Sequence, residues 1–162
     1  RWGTGMSKKY TTPFVAAVAG CAVLALAAVC VPPVSAGTVE VAAMTEMKDP
    51  LTKQPGDAAK GKGVFANRKL GNCLACHKLE AMKEQSFHGE VGPPLDGVAS
   101  RYSVAELRLR VVDPKALNPD TIMPSFYKSE GLHRVLKKFD GKPILEAQQV
   151  EDLLAYLATL KE

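Results

Sequence analysis

The chain is poor in the residues that staple, stack or bind ions. It holds four cysteines and three histidines in 162 residues, aromatic side chains make up 6%, and its one tryptophan is Trp2. Cys21 and Cys30 sit in an apolar stretch near the N-terminus, which leaves the body only Cys73 and Cys76. Two cysteines are too few for a disulfide framework, and without a second ligand pair they make a poor zinc site. Acidic residues are absent before residue 37, where Arg1, Lys8 and Lys9 stand alone; the rest of the chain carries 18 basic against 17 acidic side chains. Three of the four units of net positive charge therefore lie in the first 36 residues, and the nearly neutral body has no basic stripe of the kind nucleic acid requires. There is no internal repeat, no low-complexity tract and no sustained apolar/polar alternation, so neither a solenoid nor a sheet is expected. With 46% hydrophobic and 23% charged residues, one mostly helical domain remains.

What is present begins with an address. Lys8 and Lys9 precede an uncharged run of 18 residues, Phe14 to Val31, then Pro32, Pro33 and the small triplet Val34-Ser35-Ala36. A charged region, an apolar region and a small-residue site make a secretory signal peptide over residues 1–36, with cleavage expected after Ala36. Met6 is the expected start and residues 1–5 an upstream extension. Two other readings use the same residues. The run is just long enough to remain as a membrane anchor, and Val18-Ala19-Gly20-Cys21 has the form of a lipidation site. Cleavage predicts an exported, periplasmic chain with no stable membrane insertion.

Residues 37–54 show little periodicity and contain Asp49-Pro50, which predicts an extended arm before a domain over 55–162. Asp57 is placed to cap a helix over 58–67 that sets Gly61 and Phe65 on one face. A short helix is expected over 78–86 and a proline-stiffened loop over 89–97. Ser103 with Glu106 forms a capping box for a helix that Asp113-Pro114 ends. Residues 118–126 read as loop, and 128–143 as basic and irregular with one helical turn between Leu132 and Phe139. The closing helix carries the stripe Val150, Leu153, Leu154 and Leu157, with Glu146, Gln149, Glu151 and Asp152 expected on other faces.

Cys73-Leu74-Ala75-Cys76-His77 has the Cys-x-x-Cys-His spacing of covalent c-type haem attachment. Cys73 and Cys76 would each form a thioether with one haem vinyl, and His77 would turn its imidazole to the iron. A non-haem metal or dithiol module is the rival reading of these residues; a redox dithiol would need a strand before it and a parallel sheet around it. For the second axial ligand the candidates are Met44, Met47, Met82, Met123, His88 and His133. Met44 and Met47 lie in the arm, and Met82 follows His77 too closely to reach the opposite side of the ring. Met123, stiffened by Pro124 in its own loop, is the predicted ligand, with His88 as the alternative. His88 otherwise reads as a solvated loop residue and His133 as surface. Histidine and methionine together fill the iron's axial positions, which predicts electron relay in place of substrate chemistry.

Taken together, Gly61, Phe65, Cys73 to His77, the loop Gly92-Pro93-Pro94-Leu95, Met123-Pro124 and Tyr156 resemble a class I cytochrome c. The resemblance implies an all-α fold packed around one covalently bound haem c, with the first and last helices crossing beside it. A narrower similarity is to the SoxX family. It is carried by residues 71–77, by 92–102, by Asp113-Pro114 with Asn118 to Phe126, and by 149–157. That likeness implies an electron-accepting mono-haem subunit beside a SoxA-like cytochrome in periplasmic thiosulfate oxidation. In such a complex thiosulfate is oxidatively joined to a cysteine of a sulfur-carrier protein, with the chemistry on the partner subunit and a downstream electron acceptor beyond. A freely diffusing respiratory electron carrier would share every haem residue. The stretch Lys128, Arg134, Lys137, Lys138 and Lys142 could dock an acidic partner, but reads first as a solvated face.

Overall fold

The structure, a computed structural model, describes residues 44–162. The expected leader and the first part of the arm lie outside them. Four α-helices, α1 (Ala58–Ala66), α2 (Val98–Arg101), α3 (Val104–Val112) and α4 (Ala147–Leu157), are linked by loops with short 3-10 turns, and no strand occurs among the described residues. None of these helices is long and apolar enough to cross a membrane.

Helix α1 begins where the sequence places it, with Asp57 Oδ1 accepting from the N–H groups of Ala59 and Lys60 at 2.8 and 3.2 Å. Its glycine decides the packing. A Cβ on Gly61 would lie 1.9 Å from the Asp152 carbonyl oxygen, so α1 and α4 touch backbone to backbone there. One turn on, Phe65 meets Tyr156 edge-to-face, with ring centroids 5.6 Å apart. Val150, Leu153, Leu154 and Leu157 are all buried, as their stripe predicts.

Helix α3 has the expected reciprocal box: Ser103 Oγ accepts from the Glu106 N–H, and Glu106 Oε2 accepts from the Ser103 N–H. Helix α2 has no counterpart in the sequence pattern. It follows Gly97, whose φ of +64° ends the loop before it. The helix expected over 78–86 shrinks to one 3-10 turn, Glu80–Met82, because its anchors Leu79 and Met82 are pulled into the core while residues 83–87 stay exposed.

The polar face expected on α4 is corrected at two positions. Glu151 and Asp152 are buried. Arg108 of α3 reaches Glu151 with two parallel hydrogen bonds, both 2.9 Å, and its remaining donors hold the carbonyls of Met47 and Lys48. The Leu51 N–H also donates to Glu151, and the Asp57 N–H to Asp152 Oδ1. Residues 44–54 are irregular, as expected of an arm, yet these bonds and the Met47 N–H to Ala105 carbonyl bond lay them against α3 and α4. Burial works against the charge of Glu151, but the hydrogen bonds from Arg108 and Leu51 and the guanidinium's charge hold its carboxyl below the ordinary value of 4.5.

These contacts set the cost of disturbing them. Gly61→Ala drives a methyl into backbone and should destabilise by about 1–3 kcal/mol or more in denaturant unfolding. Gly63→Ala, where nothing lies within 4 Å, should instead stabilise by about 0.5–1 kcal/mol. Glu151→Ala leaves Arg108 buried and unpaired and should cost about 3–5 kcal/mol at neutral pH. Because the folded carboxyl titrates below its unfolded counterpart, that contribution is present above about pH 4.3 and is lost as pH falls through the lowered value. Unfolding midpoints of wild type and Glu151→Ala should therefore converge as the solution is made more acidic.

Candidate functional site

The segment 73–77 forms a single helical turn. The N–H groups of Cys76 and His77 both donate to the Cys73 carbonyl, at 3.1 and 2.9 Å, after Asn72 has turned the chain through a positive φ of 50°. That turn sets Cys73 and His77 against one cavity and exposes Cys76 at its edge. Cys73 is packed against the core, and burial pushes its thiol up to about 12, so it is protonated at neutral pH.

The loop 89–97 is pressed onto the motif and fixes the imidazole. The Gly89 N–H donates to the Leu74 carbonyl and the Gly92 N–H to the Cys76 carbonyl. Gly92 lies against the His77 ring: a Cβ there would stand 2.3 Å from Cε1. Nδ1 of His77 is 2.7 Å from the Pro93 carbonyl oxygen. A carbonyl only accepts, so Nδ1 carries the proton and Nε2 keeps its lone pair, the form an imidazole needs to bind a metal. Arg101 of α2 holds this loop, donating to the carbonyls of Asp96 and Pro94 at 2.6 and 3.0 Å. The prolines of this loop are legible in the sequence; the close contact of its glycines with the motif is not.

Met123 comes from a separate loop, between α3 and α4. Lys115 donates to the carbonyls of Pro119 and Thr121, the Thr121 N–H donates to the Asn118 carbonyl, and Thr121 Oγ1 accepts from the Met123 N–H. Two adjoining cavities of about 450 Å³ each share Cys73, His77, Pro93, Thr121, Met123 and Phe126 as walls. The inner one is closed by Phe65, Leu107, Val111, Leu153 and Leu157, and the outer one by Leu70, Val91, Ile122 and Ile144. This mostly apolar space, in the size range of cofactor sites, has two thiols at its edge, an imidazole with a free lone pair and a thioether. The residues fit a haem attached at Cys73 and Cys76.

The remaining candidates are used elsewhere. Met82 is a core side chain, Met47 of the arm packs against the core, and Met44 is exposed. His88 is not the solvated loop residue expected. Its Nδ1 accepts from the Leu79 N–H at 3.2 Å and its Nε2 donates to the Met82 carbonyl at 3.1 Å, so both nitrogens serve as a pin across the 79–88 turn. His133 is exposed, as expected. Among the described residues no group of three or more His, Cys, Asp and Glu is arranged to hold a bare metal ion, and no strand flanks the two thiols as a redox dithiol would need.

Comparison with known proteins agrees with this geometry. The family pattern described as Cytochrome c matches residues 58–161. A solved structure, SoxXA from P. pantotrophus, is similar with a TM-score of 0.68 and 41% sequence identity, over 73% of this chain and 91% of that one. No curated protein matches the chain. The haem motif, the cavity bounded by α1, α3 and α4, and these two likenesses converge: this chain belongs to the cytochrome c family and is a SoxX-like, mono-haem c-type member of it.

Proposed function

We propose that this chain is the electron-accepting subunit of a periplasmic SoxAX-type complex, in which a SoxA-like cytochrome couples thiosulfate oxidatively to a cysteine of a sulfur-carrier protein. The observation that carries the reading is the pairing of His77 and Met123 as walls common to two adjoining apolar cavities, in a chain 41% identical to a chain of SoxXA. Residues 1–36 would direct export and be removed after Ala36, and residues 55–162 would form the haem domain behind the 37–54 arm.

Haem, when bound, supplies a one-electron iron couple at a potential that a histidine–methionine pair raises relative to two histidines. Cys73 and Cys76 would tether it. His77 would offer Nε2 while Pro93 holds Nδ1–H and thereby sets the ring's orientation and basicity. Met123 would offer its sulfur from a loop braced by Lys115. Phe65, Leu153 and Leu157 exclude water from the inner face. With His77 and Met123 both committed to holding the haem, the site would offer no place for a substrate. Joining thiosulfate to a thiol forms an S–S bond and releases two electrons and the thiol's proton; a chain holding a single haem could pass those electrons to a downstream acceptor only one at a time. Bond-making therefore falls to the partner.

Three outcomes test this. Met123→Ala should abolish the weak sulfur-to-iron charge-transfer band of the ferric protein and lower the potential, whereas His88→Ala should leave that band in place. The opposite pattern would move the ligand to His88. Cys73→Ala or Cys76→Ala alone should leave one thioether by mass spectrometry, and the double variant should give little exported holoprotein, because the domain is then left with a large internal hole. Coexpression with a SoxA-like subunit in an exporting host should yield a stable heterodimer that reduces this haem when thiosulfate and carrier are added. Recovery of the haem protein alone, reduced only by respiratory donors, would identify a free electron carrier instead.

A further inference from the structure

Residues 127–144 leave the body and return to it through one neck. The Leu145 N–H donates to the Phe126 carbonyl at 2.8 Å, and the Phe126 and Lys128 N–H groups donate to the Val111 and Val112 carbonyls at the end of α3. None of the residues in the excursion is buried, and its only regular element is the 3-10 turn Lys137–Phe139. Only its end residues Tyr127 and Ile144 pack against the core; a loop this long with so little core contact is uncommon, and such loops usually carry function.

With the 120–125 loop, this excursion encloses a groove of about 840 Å³. Its walls include Ile122, 80% exposed, and Leu136, 67% exposed, two large apolar side chains left open to solvent. Lys115, Lys128, Arg134 and Lys142 line it against a single acid, Asp120. Lys115 is engaged with backbone carbonyls and Lys128 with Asp113, so among the described residues Arg134 and Lys142 are the lining Lys and Arg side chains available to a ligand. Arg134 is held at a φ of 58°, a left-handed conformation that an arginine adopts only at a cost.

We propose that this groove docks an extended acidic segment of a partner protein, with apolar side chains against Ile122 and Leu136 and carboxylates at Arg134 and Lys142. The space is too large for a lone small anion, the exposed apolar walls call for side chains, and the imbalance of charge calls for acids. The same wall carries Met123, so an occupant bears on the loop that reaches the cofactor cavity. The docking itself does not require Met123 to be an iron ligand.

The test uses the mature haem-loaded protein and isothermal calorimetry, with a blocked decapeptide of alternating glutamate and leucine as probe. Binding should weaken about tenfold or more in the double variant Arg134→Glu, Lys142→Glu, weaken with added salt, and be unchanged in Lys60→Glu, Lys62→Glu on α1. If the charge reversal disturbs the haem spectrum, Arg134→Gln, Lys142→Gln replaces it under the same criterion. Unaltered affinity in the groove variant would overturn the proposal, as would equal affinity for the glutamine–leucine peptide. Vesicles of phosphatidylglycerol that bind through Arg134 and Lys142 where the peptide does not would overturn it too, and assign the face to a membrane. None of these readouts depends on the axial ligand of the haem.

Discussion

The contact between Gly61 and the Asp152 carbonyl is the constraint on which the other packing depends. Any side chain at residue 61 would push α1 off α4 and part Phe65 from Tyr156. Phe65, Leu153 and Leu157 line the inner cavity, so the separation of two helix backbones sets the depth of a cofactor wall. Gly56 repeats the device just before α1, where a Cβ would meet the Glu151 carbonyl at 2.1 Å. Small residues here act through what they let approach.

The same logic operates around the haem motif. A five-residue turn can offer two thiols and an imidazole, but it cannot by itself hold the ring or choose its tautomer. Gly89 and Gly92 bring a loop close enough for the Pro93 carbonyl to accept from Nδ1–H, and Arg101 fixes that loop by bonding two of its carbonyls. His88, which looks in sequence like a spare ligand, instead closes the turn between Leu79 and Met82. A histidine with both nitrogens engaged by backbone is a structural strut.

Polar groups buried between α3, α4 and the arm join the parts that the apolar core leaves separate. Arg108 satisfies its fork on Glu151 and on two arm carbonyls. Such a pair is a poor source of net stability compared with an apolar replacement, but it fixes which surfaces meet. Helical periodicity could not foresee this. Glu151 and Asp152 occupy positions that a stripe analysis assigns to solvent; the arm meets Glu151, and the start of α1 meets Asp152.

The sequence by itself determined the haem-type motif and the helices α1, α3 and α4, but not α2 or the single turn at Glu80–Met82. Cys-x-x-Cys-His spacing, the Asp57 and Ser103 caps, the apolar stripe of α4 and the proline beside Met123 are all short-range patterns, and short-range patterns are fixed by covalent spacing and helical period. Only the tertiary structure decided the use of residues whose partners lie far along the chain. It made Met82 core and His88 a pin, buried Glu151 under the arm, and brought Met123 to the cavity that His77 lines. It also folded residues 127–144 back to a single neck at Phe126 and Leu145. Those assignments depend on which distant surfaces come together, and that is settled by packing around glycine contacts and cavity walls that no window of neighbouring residues contains.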